Sequence, residues 1–198
     1  TARQTNAWDE LMAWLTRVHA LEGVKPAELT DALNDQRWVL ARKGNERQFR
    51  LASEVIYHPG ATVLAHAFWV VEGDLPALVR ESPADYGVLC SPPATPDSIV
   101  HLVDCLSNAV HVPAPVVLSV YQLVADSIKQ DGKLKREWLE QAAAQAVFRL
   151  FRVPERYVTR HELFIGNDDM SSDFGEWLWC LKANDDIDSQ VIELYQHL

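Results

Sequence analysis

The sequence predicts an α+β protein, with a small mixed sheet in the N-terminal half packed with a largely helical C-terminal half. The short apolar runs that we assign to strands lie before residue 91. After the proline-rich segment SPPATPDS, apolar residues recur at the three-to-four spacing of helices. With 198 residues, 48% of them hydrophobic, the chain can bury one core. We predict a single domain over 1–198, with an α/β part at 1–91 and a helical part at 97–198.

Two helices and a strand are predicted first. A stripe of apolar residues predicts a helix from about Ala7 to Glu22. Proline is favoured in a first helical turn, so a second helix begins near Pro26. The run Trp38–Ala41, with its aromatic and β-branched residues, is the first predicted strand.

The segment after this strand has two interpretations. Lys43-Gly44-Asn45-Glu46 is compatible with a two-residue hairpin turn followed by a return strand. The spacing of Asn45 and Gln48 is also that of a capping box, which would open a helix over Asn45–Tyr57. We favour the helix, because this start agrees with an i,i+4 pair between Glu46 and Arg50 and with the stop signal His58-Pro59-Gly60.

Later elements follow from longer apolar patterns. Ala61–Val71 is predicted as a buried strand, and with the preceding helix and strand it forms a right-handed parallel crossover. A short helix or turn over DLPALVRE and a strand at Tyr86–Cys90 come next. The C-terminal half is predicted to contain six helices, at 98–109, 115–129, 133–151, 154–163, 172–183 and 188–197.

Charge is distributed unevenly in a chain whose formal net charge is -10. Residues 163–198 contain eight acids and the single base Lys182. Between Arg37 and Arg50, in contrast, five bases accompany one acid, Glu46. The overall negative charge argues against sequence-independent binding of DNA across the surface, so any phosphate contact must be local.

The basic segment is therefore the candidate binding site. If a helix begins at Asn45, the free amide groups of its first turn favour an anion. Gly44 lets a phosphate approach the backbone closely. Lys43, Arg47 and the backbone amides of Gly44 and Asn45 would hold the phosphate oxygens. Arg50 would steer the ligand.

Gly44-Asn45-Glu46-Arg47, a G-x-x-R run between a strand and the favoured helix, resembles the phosphate-binding box of the ParB and sulfiredoxin fold. The resemblance covers about a dozen of the 198 residues. It implies binding of nucleotide phosphates and, in some members, nucleotide hydrolysis or nuclease activity. Asn45 stands where those proteins often carry an acid. We expect Glu46, Glu72 or Asp74 to orient water or a divalent cation that accompanies a nucleotide.

Two hypotheses about function follow. The first is a cytoplasmic protein of prokaryotic or plasmid type that binds nucleotide or nucleic-acid phosphate and hydrolyses phosphoesters weakly. The alternative is a non-enzymatic interaction or inhibitor protein, whose acidic C-terminal helices dock on a basic partner. A further pattern, Arg156 to His161, has the R-x4-H spacing of HEPN-type ribonucleases and is predicted to lie on a helix.

Other residue types exclude several classes of protein. The histidines show no zinc-binding spacing, so we predict no zinc site. Three cysteines without a C-x-x-C spacing predict free thiols in a reducing cytoplasm. No apolar run is long enough to span a bilayer, so we predict no membrane association.

Overall fold

A computed structural model describes residues 2–19, 26–109, 111–129, 131–143, 145, 147–150, 156–159, 163–166 and 179–182. The chain divides into two compact units, Thr1–Pro92 and Pro93–Leu198. This boundary lies inside the predicted proline-rich segment. The first unit contains a three-stranded antiparallel sheet, and helices dominate the second, which confirms the α+β class.

Two helices open the first unit close to their predicted positions. Helix α1 covers Ala2–His19, and α2 covers Pro26–Asn34. The apolar stripe of α1 is buried, as the accessibility of Trp8 and Leu15 shows. Both side chains belong to one hydrophobic cluster of the first unit, whose remaining buried members are Met12, Trp38, Val39, Leu40, Ala41, Ala52, Val55, Val71, Leu75, Val79, Tyr86 and Val88.

A hairpin forms most of the sheet. Strand β1 (Val39–Lys43) and strand β2 (Glu46–Arg50) pair antiparallel across the two-residue turn Gly44-Asn45. Gly44 has a φ of 55°, which glycine adopts readily and which suits the first position of a type II′ turn. Strand β3 (Val70–Val71) pairs antiparallel with the other side of β1, so the strand order is β2-β1-β3.

Three predictions in this region are wrong. The predicted helix over Asn45–Tyr57 is strand β2, followed by one turn of 3-10 helix at Ala52–Glu54. The predicted strand Ala61–Val71 is mostly not a strand, since the short helix α3 (Ala61–Leu64) occupies its beginning and only β3 its end. No parallel crossover joins β1 to β3, because the two strands are antiparallel.

Beyond β3 the sheet continues through single bridges. Ile56 forms parallel bridges with Val70 and with Leu89. The strand predicted over Tyr86–Cys90 is thus reduced to the bridge at Leu89, after a 3-10 turn at Pro83–Tyr86. The helix predicted within DLPALVRE is present as α4 (Ala77–Glu81).

Three longer helices build the second unit. Helix α5 covers Pro96–Ser107, α6 covers Ala114–Lys129 and α7 covers Gly132–Ala142. The hydroxyl of Thr95 caps α5 by accepting from the Ser98 amide, and the Asp131 carboxylate caps α7. Helix α7 contacts both α5 and α6. The helices predicted at 98–109 and 115–129 are thus confirmed, as is the beginning of the helix predicted at 133–151.

The remaining described elements of the second unit are short strands. Strand β4 (Phe148–Leu150) pairs antiparallel with β5 (Arg156–Val158), and β6 (Leu163–Gly166) pairs parallel with β7 (Trp179–Lys182). The helices predicted at 133–151, 154–163 and 172–183 are therefore wrong where these strands lie. The opposed residues Phe148 and Val158 are both buried, so burial of this pair outweighs the local helical pattern. The helix predicted at 188–197 lies outside the described residues.

Two aromatic side chains are fully buried in the second unit. Trp138 on α7 and Tyr121 on α6 both have no exposed surface. The Tyr121 hydroxyl donates a hydrogen bond to the Val147 carbonyl oxygen, just before β4. The indole Nε1 of Trp138 has no acceptor among the described residues. Among these residues, no helix has both the length and the apolar character needed to cross a membrane.

His58 organises the turn that precedes α3. Its Nδ1 accepts a hydrogen bond from the Gly60 amide at 2.9 Å, so the neutral ring carries its proton on Nε2. Burial lowers the pKa of His58 below its usual value of 6.5. The unfolded chain therefore takes up this proton at a higher pH than the folded protein.

Acidification should consequently destabilise the first unit through His58. As pH falls below the unfolded pKa of about 6.5, the unfolded state binds the proton first, and the free energy of unfolding decreases until the folded pKa is reached. His58→Asn keeps an acceptor for the Gly60 amide but does not titrate. We expect it to lose less stability than the wild type between about pH 7.5 and pH 5, measured by urea denaturation. His101→Asn, at an exposed position on α5, is the control, and an unchanged pH response in His58→Asn would contradict the prediction.

Candidate functional site

Three charged side chains meet on one face of the sheet in the first unit. Arg42 and Arg47 are directly opposite each other on β1 and β2, so their side chains share a face. Glu72 follows β3, where its amide donates to the Leu40 carbonyl at 2.9 Å. One oxygen of Glu72 lies 2.7 Å from Arg47 Nη2, and the other lies 3.3 Å from Arg42 Nε. We call these three residues the arginine–glutamate cluster.

The cluster has an excess of positive charge and is partly accessible. The Glu72 side chain is 21% exposed, whereas those of Arg42 and Arg47 are 33% and 50% exposed. Glu72 Oε2 is buried without a hydrogen bond, so its contact with Arg42 is an ion pair alone. Because one carboxylate serves two guanidinium groups, each with five N–H donors, the cluster retains one net positive charge and donors for a second anion.

Arg50 belongs to a different environment. Alternation along β2 places it on the face opposite to that of Arg47. Its guanidinium carbon lies 4.3 Å from the centre of the Trp69 ring, and its Nη1 lies 3.4 Å from Glu54 Oε2. A cation–π contact and an ion pair thus already engage this charge. The predicted role of Arg50 in steering a ligand stays a prediction.

The anion site predicted at a helix start is not formed, because no helix begins at Asn45. Lys43, Gly44 and Asn45 are instead exposed residues at the tip of the hairpin. The Gly44 amide, which we expected to face a phosphate, donates to the Ala65 carbonyl at 2.6 Å. Any phosphate bound here would therefore contact side chains of the hairpin and not the amides of a first helical turn.

The three predicted catalytic acids are not gathered on one face. Glu72 is in the arginine–glutamate cluster. Glu46 is exposed, and its pairing with Lys43 places it on the other face of the hairpin. Asp74 is exposed in the segment after β3. Among the described residues, no group of three or more histidine, cysteine, aspartate or glutamate side chains could hold a metal ion.

The other sequence motifs lie largely outside the described part of the chain. Arg156 starts strand β5, so the helix predicted for the R-x4-H motif is wrong there, and His161 lies outside the described residues. The acidic side chains after residue 163 also lie outside them. The hypothesis of an acidic docking surface therefore stays a prediction.

Sequence reasoning missed the pairing of Arg42 with Arg47 and the role of Glu72 in joining them. The hairpin interpretation contained the necessary signal. Positions 42 and 47 are symmetric about a Gly44-Asn45 turn, so a hairpin makes them cross-strand neighbours. No pattern in the sequence indicated that Glu72 would reach both.

Comparisons of the chain with protein-family models, curated proteins and solved structures find no match. The resemblance to the ParB and sulfiredoxin box accordingly stays a prediction. The arginine–glutamate cluster is therefore the feature of the described residues on which a proposed function rests.

Proposed function

We propose that this protein binds phosphate groups of a nucleotide or nucleic acid through Arg42 and Arg47 on the β1–β2 hairpin. One observation carries the proposal. A single carboxylate, Glu72, holds two guanidinium groups side by side on one face of a sheet, and one of them, on Arg47, is half exposed.

This arrangement lowers the cost of binding an anion. An isolated arginine loses rotamer entropy when it grips a ligand, about 2 kcal/mol when its side chain is fully ordered. The ion pairs with Glu72 order both guanidinium groups before any ligand arrives. A guanidinium group presents its N–H donors in a planar fork, which matches the oxygens of a phosphate. Lys43 lies opposite Glu46 on the other face of the hairpin, so we assign it no contact with the phosphate.

The geometry supports binding more directly than hydrolysis. Both oxygens of Glu72 contact guanidinium groups, so this residue offers no free oxygen to water or to a divalent cation. Glu46 lies on the opposite face. Weak phosphoester hydrolysis involving Glu46, Glu72 or Asp74 stays a prediction. A reducing cytoplasm is our proposed compartment, since Cys90 is a free thiol.

The test is the loss of binding in Arg47→Gln. Affinity for a fluorescein-labelled single-stranded oligonucleotide, and separately for ATP with and without magnesium, would be measured by fluorescence anisotropy and by thermal shift. A charge-assisted hydrogen bond contributes about 1.5–3 kcal/mol, and half exposure of Arg47 favours the lower value, so we expect roughly tenfold weaker binding. Raising the salt concentration should weaken the wild type more steeply than the variant.

Arg80→Gln provides the matched control. It removes the same charge from an exposed position on α4 in the same unit. The proposal predicts a change of less than about twofold for this variant. Equal losses in the two variants would show that net charge alone governs binding, and absence of binding to every phosphate ligand tested would refute the proposal.

A further inference from the structure

Strand β2 is the terminal strand of the described sheet. On the far side of the sheet, single residues continue the ladder beyond β3: the Val71 amide donates to Ile56, and the Tyr57 amide donates to Leu89. In contrast, β2 pairs with β1 on one side, and no described residue pairs with its other side. A free strand edge is a template for another strand.

The hydrogen-bonding pattern identifies which groups face outward from this edge. The Glu72 amide donates to the Leu40 carbonyl, so the backbone of Leu40 points toward Glu72 and away from β2. Leu40 and Phe49 are therefore a non-hydrogen-bonded pair, and alternation makes Arg42 and Arg47 another. The backbone N–H and C=O groups of Arg47 and Phe49 consequently point away from β1. Neither residue has a backbone hydrogen bond to a described residue outside the β-ladder.

The sequence of β2, Glu-Arg-Gln-Phe-Arg, complements itself in antiparallel orientation. Consider a second copy of the chain paired with β2 through its own β2, related by a two-fold axis at Gln48. This arrangement places Arg47 opposite Phe49 of the second copy. These are the residues whose backbone groups face outward, so the two pairs exchange four hydrogen bonds. The same register places Glu46 opposite Arg50 of the second copy, twice, which sets opposite charges against each other.

Other registers either pair fewer of the outward-facing backbone N–H and C=O groups or place like charges opposite each other. A shift of one residue sets Arg47 opposite Gln48 of the second copy. The backbone groups of Gln48 already bond to β1, so Arg47 would find no partner there. A shift of two residues in one direction sets Arg47 opposite Arg47 of the second copy, a repulsive pair. A shift of two in the other direction sets Glu46 opposite Ala52, which lies in the 3-10 turn beyond the strand.

We propose that two copies of this chain associate through β2, with the two-fold axis at Gln48, and join their three-stranded sheets into one. The axis is perpendicular to the sheet, so the arginine–glutamate clusters of both copies lie on the same face. The pairing rests on the edge geometry and not on the proposed function, but it would give an extended phosphate ligand two adjacent basic sites. A five-residue edge buries little area, so we expect a weak dimer, with a Kd on the order of 10–100 μM.

Disulfide trapping tests the register. Gln48 would be a non-hydrogen-bonded pair with its own copy, at a Cα–Cα distance of about 4.5 Å, within the range that a disulfide spans. In a Cys90→Ser, Cys180→Ser background, Gln48→Cys should form a covalent dimer under mild oxidation, seen on a non-reducing gel. The background without Gln48→Cys should not form a covalent dimer. Glu46→Cys should not either, because the two positions would lie more than about 10 Å apart. Equal cross-linking of both variants overturns the register.

Sedimentation equilibrium tests the association itself. The weight-average mass of the wild type should rise with concentration toward twice the chain mass. Glu46→Lys places a lysine opposite Arg50 of the second copy at two points and should weaken the dimer about tenfold. Glu81→Lys makes the same charge change at an exposed position on α4. It should leave the Kd of the dimer unchanged within about twofold.

A wild type that remains a monomer at millimolar concentration, together with no cross-linking of Gln48→Cys, overturns the proposal. That result would leave the proposed function standing, because phosphate binding by Arg42 and Arg47 is measured on a single copy. Conversely, Glu46→Lys removes no side chain of the arginine–glutamate cluster. It should therefore bind a short phosphate ligand at least as tightly as the wild type, whether or not it dimerises.

Discussion

Replacing Trp138 with alanine should lower the free energy of unfolding by about 3–5 kcal/mol, the range expected for removal of a large, fully buried aromatic side chain. Trp138 has no exposed surface, and its helix α7 contacts both α5 and α6. Removing the indole would therefore leave a cavity in the interior of the second unit. Urea denaturation followed by far-UV circular dichroism measures the change.

A pair of phenylalanine substitutions separates packing from hydrogen bonding. Trp138→Phe removes an indole N–H that has no acceptor among the described residues, so it loses volume but no described hydrogen bond. Tyr121→Phe keeps nearly all of the volume but deprives the Val147 carbonyl of its donor, at a cost of about 1–3 kcal/mol. Trp138→Phe should be clearly less damaging than Trp138→Ala. A loss below about 1 kcal/mol in Trp138→Ala would mean that the side chain is not part of a close-packed core.

Replacing Glu72 with glutamine should lower the free energy of unfolding by about 1–3 kcal/mol, between the values for exposed and fully buried ion pairs. The substitution keeps the shape of the side chain but removes the only carboxylate in the arginine–glutamate cluster. It also leaves two guanidinium groups close together without a counter-charge.

A thermodynamic cycle that treats the two arginines as one unit attributes this loss to the ion pairs. Introduced together with Arg42→Gln and Arg47→Gln, the substitution Glu72→Gln should cost much less than it does alone. Glu81→Gln, at an exposed position on α4, should change stability by less than about 0.5 kcal/mol. An equal cost of Glu72→Gln in both backgrounds would mean that Glu72 acts through something other than the two arginines.

Helices with their own local start signals were predictable from the sequence. Pro26 begins α2, and the hydroxyl of Thr95 caps α5, so these helices lie close to their predicted positions. Each start is decided by residues within one turn, which a short window of sequence contains.

The hairpin could not be distinguished from a helix by such a window. Asn45 and Gln48 have the spacing of a helix cap, while Gly44-Asn45 is equally suited to a hairpin turn. Distant residues agree with the hairpin: Trp8 packs near Phe49, with 6.5 Å between ring centres, and Glu72 pairs with Arg47 across the sheet. Tertiary contacts of this kind override local propensity.

The apolar run after Gly60 was ambiguous for a related reason. When nearly every residue is apolar, periodicity cannot separate a buried helix from a buried strand. In the structure, Thr62 and His66 are exposed and lie about one helical turn apart, while Val63, Leu64, Ala65 and Ala67 are buried.

The position of Glu72 along the chain also has a consequence for protein synthesis. The residues that neutralise and cover the hairpin, Trp69 and Glu72, leave the ribosome well after Arg42 and Arg50. A two-stranded hairpin alone is at best marginally stable in water. A nascent chain that ends before Trp69 therefore carries a basic segment with neither its later counter-charge nor its aromatic cover, and this sheet can be completed only when translation has passed Glu72.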